Sequence, residues 1–525
     1  MSSKKKLLSQ IEKIIDEGKG ETRRVIIQME MDDSIVRQMM SATSSTMRNR
    51  LMLTSARDVL PPPASDMKTS NAGKRSRVRL KNLQNHEFSM AAKVGLIQQK
   101  QTTKAQLRSV GNSNLKSLKA SSFLKSSYAN VVEKRRSNSR EKNIALDSNF
   151  PTFWSSSSAA VELYKDDLHE IYDHVDGIAD VFANSVVKVP TVVKAVPSSL
   201  PWSVTENKSS AWGLDAISAL ASWGSFDSRG EGVKVCVLDT GVDSSHPDLA
   251  GKMDASDWAE FDGNGTPVSG STPHDSGKHG THCSGTVLGG NNSGKWIGVA
   301  PNAKLAHGLV LKNGSGTIAQ ILAGMQWAID RGADVISMSL GGLRMDSEVI
   351  DTYTRQILTA HQLGIPVVAA IGNDGSQTTG APGNDYFSFA VGATDSLDRA
   401  AGFSGGRTQI IYNSRYIPSQ HLPLPYSKPD VSAPGVAVES CIPGNKYDSW
   451  NGTSMATPHV AGAIALLLSS TDVKNLVPQN ELAYLLQDFI AGSVEEIGET
   501  GKDHRYGFGR INVYRAIDMA KQRGY

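Results

Sequence analysis

Asp239, His279 and Ser454 stand far apart in the chain, yet each sits where an apolar run stops or starts. VKVCVLDTGVDSSHPDL ends a buried-strand pattern on Asp239, SGKHGTHCSGTV opens a glycine-flanked helical stretch on His279, and NGTSMATPHVAG sets Ser454 just ahead of the apolar run VAGAIALLL. Singly, each has an ordinary reading. A lone aspartate at a strand end is a turn or cap residue, and a serine before an apolar helix is usually an N-cap. His279 and His282 have the spacing of a metal-binding pair, but no HExxH glutamate or third ligand accompanies them, so zinc chemistry is not expected. Together the three residue types do more. The histidine can take the serine's proton, while the acid fixes the ring's tautomer and stabilises the imidazolium that forms. A serine at a helix N-terminus also brings a backbone N–H and the helix dipole to bear on an oxyanion formed beside it.

The elements that must position these residues are legible between about 210 and 520. VKVCVLD, KLAHGLVL, ADVISMSL, IPVVAAIGN and FSFAVGA are near-continuous apolar runs of strand length. TIAQILAGMQWAIDRG, VIDTYTRQILTAHQLG and a terminal INVYRAIDMAKQ carry helical periodicity. Apolar strands alternating with helices predict a parallel sheet covered on both faces, with the active site at the strands' carboxyl ends.

With those stretches in order, the chain resembles the subtilisin-like serine proteases, the subtilases. The resemblance rests on VLDTGVDSSHPDL, HGTHCSGTV, SMSLGG, AAIGNDG and NGTSMATPHVAG, and covers about 210–515. It implies an α/β, subtilisin-like three-layer fold with a mainly parallel sheet and helices on both faces. It also implies a serine endopeptidase working through an acyl-enzyme, with Asp239 orienting, His279 as general base and acid, Ser454 as nucleophile and Asn373 as oxyanion donor. Ser454 is then expected as the last non-helical residue, with Pro458 in the helix's first turn, where its missing N–H costs nothing.

The same matching gives the substrate-binding segments. Gly314-Ser315-Gly316 and Ser339-Leu340-Gly341 resemble the two stretches that pair with an extended peptide. Ala369, Ala370 and Gly380 would line a roomy apolar first pocket, and Ile318 and Ile321 a second. Asp374 at the rim would add a weak pull on basic or polar groups. Broad specificity with an apolar bias is expected. Structural calcium is expected at Asp248 and Asn292, completed by the carbonyls of Gly290, Gly294 and Trp296, an oxygen shell of the kind calcium prefers. Cys283, one helical turn after His279, reads as a buried structural thiol.

The first 205 residues resemble a subtilase propeptide, a small α/β domain that assists folding and then inhibits. RRVIIQMEM and VELYKDDLHEIYDHVDGIADVFANSVVKVP would be its halves, separated by a polar insertion at about 55–155, from DVLPPPAS to WSSSS, that reads as disordered. The catalytic domain would occupy 206–525, with self-cleavage of the zymogen between 198 and 210. From Lys74 to Lys142 there are 17 Lys and Arg against three acids, a local excess of +14, so the rest carries −11 within the overall +3. That basic tract admits contact with nucleic acid or an anionic surface, but it has few aromatics and no binding fold, and a solvated linker is the expected reading. Polypeptide substrates and the chain's own propeptide are the expected partners, and a monomer the expected state. Three cysteines make no disulfide framework. The N-terminus, MSSKKKLLSQIEKIIDEGKG, reads as an amphipathic helix without a signal-peptide core, and no run approaches the ~20 apolar residues of a membrane span. The chain as written reads as cytoplasmic by default, and a non-classical export route would leave no mark.

Overall fold

A computed structural model describes residues 3–31, 103–138, 149–190, 193–194, 209–347, 349 and 351–525. Seven parallel strands form its central sheet, in the spatial order Val431–Pro434, Phe389–Thr394, Val367–Ala370, Val335–Met338, Lys234–Asp239, Lys304–Leu309 and Trp258–Glu260. The five expected apolar runs are all strands of this sheet. They are buried on both faces, which explains their unbroken hydrophobicity. On one face the helices His279–Leu288 and Thr453–Ser470 join a core with Val235, Val237, Val287, Val460 and Ile464. On the other, Ile318–Asp330 and Thr354–Gln362 pack over Leu238, Ile336 and Val367.

Ahead of this body lies a four-stranded antiparallel sheet, ordered Thr152–Phe153, Ser158–Tyr164, Thr22–Met29 and Ile178–Ala183. The helices Ser3–Glu17 and Lys165–His174 add Leu7, Ile11, Leu168 and Ile171 to its core. The two expected halves therefore meet as neighbouring strands. Glu162 to Tyr164 end the strand Ser158–Tyr164, and the helix begins at Lys165.

The insertion departs from its expectation wherever it is described. Residues 103–138 form three helices, Lys104–Asn114, Lys116–Ala120 and Ser122–Asn138. Sparse apolar residues (Leu107, Leu115, Leu118, Leu124, Val131) supply the buried stripe, enough to dock a helix even in a lysine- and serine-rich sequence. WSSSS is likewise no linker: Trp154 to Ser158 are buried. The Ser155 carbonyl accepts from Thr359 Oγ1 at 2.7 Å, Ser155 Oγ from Gln356 Nε2 at 2.5 Å, and the Ser156 carbonyl from the Arg355 guanidinium at 3.2 Å. Several basic side chains of the insertion face acids. Lys104 and Arg108 meet Asp330, Lys134 meets Glu21 and Arg135 meets Glu162. Residues 55–102 lie outside the described part. Among the described residues no helix is long and apolar enough to cross a membrane.

Candidate active site

Asp239 is the last residue of the interior strand Lys234–Asp239, and His279 the first of the helix His279–Leu288. His279 Nδ1 donates to Asp239 Oδ1 at 2.7 Å, and both side chains are buried. Burial pulls the imidazole's pKa down, but the adjacent Asp239 carboxylate more than offsets it and leaves the ring well above its ordinary value. Nε2, the atom that would take a serine proton, is buried and has no hydrogen-bond partner among the described residues. Three residues on, His282 serves packing. Its Nε2 bonds the Val438 carbonyl at 3.1 Å and its ring stacks on Trp450 at 4.5 Å, while burial lowers its pKa to about 3, so it is neutral.

Ser454 is the second residue of the helix Thr453–Ser470, not the last one before it, and Gly452 is the cap. Pro458 is therefore the sixth helical residue and lies beyond the first turn. Its missing N–H deprives the Ser454 carbonyl of its i→i−4 partner. That carbonyl instead accepts from Ser339 Oγ at 2.8 Å and from the Cys283 thiol at 3.5 Å. The proline thus hands the Ser454 carbonyl to the neighbouring strand end and to the helix that opens on His279. Burial raises the Cys283 pKa, keeping the thiol protonated as a donor. Ser454 Oγ itself donates to the Ser339 carbonyl at 3.4 Å.

Asn373 follows the strand Val367–Ala370. Its Oδ1 accepts from Thr453 N at 2.8 Å and from Thr453 Oγ1 at 2.7 Å, which fixes the amide's orientation. A Cβ built on Gly452 would come to 3.2 Å from Asn373 Nδ2 and 3.6 Å from Ser454 N. The hollow beside Gly452 is therefore bounded by two N–H donors, the arrangement an oxyanion requires. Gly452 has an extended φ of 167°, so glycine is needed here for space rather than for conformation. Thr453 was not singled out in the sequence, although its place beside Ser454 was the available signal.

The other sequence candidates fall into three groups. Ser315, Gly316 and Thr317 pair antiparallel with Lys188, Val187 and Val186 of the N-terminal region. Gly341 exchanges both hydrogen bonds with Lys188, at 3.1 and 3.4 Å, and the Gly314 carbonyl accepts from Val189 N at 3.0 Å. The chain's own segment 186–189 thus lies as a third strand between the two glycine-bearing stretches, with Val187 buried in one apolar cluster with Ile318, Ile321 and Leu340. Farther on, Val193 and Lys194 pair with Asn451 and Trp450, just ahead of Ser454. Ala369 and Ala370 end their strand fully buried, Gly380 lies against Gly341, and Asp374 is exposed.

Asp248 is 1% exposed; its Oδ1 accepts from Asn292 N at 2.7 Å and its Oδ2 from the Tyr447 hydroxyl at 2.6 Å. Gly290 N donates to the Asp248 carbonyl at 3.1 Å, and Gly294 turns the loop with a φ of +88°. The Gly290 and Trp296 carbonyls already accept from Ile297 N and Ala211 N, each with a lone pair to spare. His246 Nδ1 lies 3.9 Å from Asp248 Oδ2 and accepts the Asp248 N–H. Burying a carboxylate is costly unless its charge is compensated; Lys252 interacts with Asp248 electrostatically, and the oxygen-rich loop beside it suits a divalent ion.

Residues 230–509, more than half of the chain, match the subtilase family. The chain belongs to that family. Among curated subtilases, subtilisin E of Bacillus subtilis is 41% identical over 245 residues, 46% of this chain and 56% of that protein. Subtilisin DY of Bacillus licheniformis is 37% identical over 294 residues, 55% of this chain and 92% of its own length. Thermitase of Thermoactinomyces vulgaris is 36% identical over 308 residues, 58% and 95% respectively. The chain thus spans little more than half of the first relative and nearly all of the other two. As in the subtilase order, the acid, histidine and serine follow one another along the chain.

Proposed function

We propose that the chain is a serine endopeptidase that hydrolyses polypeptides through an acyl-enzyme and is made as a self-processing zymogen. The observation that carries the reading is the convergence of the Asp239–His279 hydrogen bond, Ser454 and the two-donor hollow at Gly452 on one edge of the sheet. In the reaction, Ser454 Oγ would attack a peptide carbonyl as His279 Nε2 takes its proton. Asp239 would hold the ring and stabilise its charge, and Asn373 Nδ2 with Ser454 N would receive the oxyanion. Protonation of the leaving amine by His279 would leave the acyl-serine, which water then cleaves. Hydrolysis of a peptide library by wild type and by Ser454→Ala tests this. Equal cleavage by the two would end the reading.

The pairing of 186–189 and of 193–194 supports latency. In an antiparallel ladder, closely bonded pairs recur every two residues. Lys188 with Gly341 is such a pair, and continuing that register would set Pro190 opposite Ser339. Proline has no N–H to offer the Ser339 carbonyl, and that carbonyl is the acceptor of the Ser454 hydroxyl. On that register the peptide bond presented to Ser454 would follow Pro190, upstream of the 198–210 window, of which only 209 and 210 are described. We read Pro190 as a brake, because it leaves Ser454 bonded to Ser339 instead of His279. Pro190→Ala should speed self-cleavage by at least tenfold and move the new N-terminus to residue 191. A variant with unchanged rate and cleavage site would refute the brake. Substrates placing an apolar side chain where Val187 sits should be favoured.

Calcium at Asp248, Asn292 and the carbonyls of Gly290, Gly294 and Trp296 would supply charge compensation and cross-link the loop, with no part in catalysis. A chelator should lower Tm, and calcium should restore it. Free ion at 1,000 Kd contributes about 4 kcal/mol. An unchanged Tm would remove calcium from the account.

A further inference from the structure

The loop just before His279 contains an acid that the relay does not use. Asp275 receives four hydrogen bonds. Thr240 Oγ1 at 2.7 Å and Gly277 N at 2.9 Å reach Oδ1, while Thr281 N at 2.9 Å and Thr281 Oγ1 at 2.6 Å reach Oδ2. The partners are not scattered. Thr240 directly follows Asp239, just past the end of its strand, and Thr281 lies two residues after His279 in the first turn of its helix. The Thr240 hydroxyl also accepts from Gly280 N, next to His279, at 2.9 Å. One hydroxyl therefore bridges the carboxylate of Asp275 and the N-terminal turn of the histidine helix, and two of that turn's otherwise unpaired N–H groups are satisfied. A second seam runs alongside. The Thr240 carbonyl accepts from Ser276 N and Ser276 Oγ, and the His274 carbonyl from Val242 N.

We infer that Asp275 is a positioning residue for the relay: by holding Thr240 and Thr281 on one carboxylate, it sets the separation and angle of Asp239 and His279. The inference rests on the protease reading above. It follows from geometry, because Asp239 and His279 come from different elements, a strand end and a helix start, and no covalent link shorter than 40 residues fixes one against the other. A 2.7 Å hydrogen bond between them demands a brace near both backbones. Asp275 bonds both Thr240, which follows Asp239, and Thr281, two residues after His279. The carboxylate form is required. All four partners donate, and an amide in its place would offer one oxygen and turn an NH₂ group toward two donors.

The test compares wild type, Asp275→Asn and Thr240→Val in the full chain. Turnover is expressed per active site labelled by a serine-directed covalent inhibitor, which separates misalignment from loss of folded protein. Misplacing reacting groups by about 1 Å costs up to ~10²-fold in rate. Asp275→Asn should therefore lower kcat per labelled site between about tenfold and 10²-fold while KM stays within twofold. The far-downfield proton resonance of the His279 Nδ1–H should shift or broaden. Thr240→Val, which keeps the backbone and removes the bridging hydroxyl, should lose kcat similarly, and the double variant should lose little more than either single one. If Asp275→Asn does not fold, Thr240→Val alone carries the comparison. Unchanged kcat per labelled site with an unmoved resonance, whatever happens to Tm, would overturn the inference. Wild type lacking turnover would instead fail the protease reading, and the resonance would still report whether the brace sets the Asp239–His279 bond.

Discussion

Asp239→Asn should lower kcat by about 10⁴-fold and move the pH profile, in the direction fixed by the geometry of the pair. Asp239 Oδ1 accepts from His279 Nδ1 at 2.7 Å. An asparagine of the same shape can present its NH₂ to that nitrogen and so stabilise the tautomer with the proton on Nε2, where the base must be free. The imidazolium formed during attack also loses its counter-charge in a buried site. The sign of the pH effect follows from the two opposing causes. Burial favours the neutral ring and the Asp239 carboxylate favours the charged one, with the carboxylate prevailing. The neutral ring is the active base, so wild-type kcat/KM should rise with pH through a midpoint above the ordinary histidine value of about 6.5. With the carboxylate gone burial prevails, and the residual activity of Asp239→Asn should rise through a lower midpoint. A loss of less than tenfold, with the limb unmoved, would mean that Asp239 is only a strand-end residue.

Asn373→Ala should lower kcat by about 10²–10³-fold with little change in KM. The asymmetry arises because the donor acts on charge that exists only as the tetrahedral intermediate forms. Thr453 holds Oδ1 through two bonds, so Nδ2 is aimed before any substrate arrives and no reorganisation is needed during reaction. Gly452→Ala offers an independent approach to the same hollow, since its methyl would sit 3.2 Å from Nδ2 and compete with the oxyanion for space. It should reproduce the loss in kcat while both donors remain. If Asn373→Ala raised KM and left kcat intact, the residue would belong to substrate binding instead.

Much of this was legible in the chain because the core is organised by elements of simple pattern. Apolar runs such as VKVCVLD can be so uniform only as interior parallel strands, and they place Asp239 at a carboxyl end. What escaped the sequence depended on long-range partners. Pro458 was read as harmless in a first turn. It lies a turn further in, and the carbonyl it frees is taken by Ser339 and Cys283, 115 and 171 residues away. WSSSS reads as linker composition, yet its backbone carbonyls satisfy Arg355 and Thr359, a role that no local signal encodes. In the helices of 103–138 a few leucines at helical spacing outweigh a composition that otherwise predicts disorder. Asp275 went unnoticed because a lone acid in a Ser-Gly-Lys loop gains meaning only when Thr240 and Thr281 are seen on its two oxygens.

The most direct test of the central claim is covalent. A serine-directed phosphonylating inhibitor, followed by mass mapping of the digested protein, should add one adduct per chain, on Ser454 alone. Its rate should collapse in His279→Ala and in Asp239→Asn, because each depends on the same relay. Labelling elsewhere, or labelling of Ser454 at an equal rate without His279, would contradict the account.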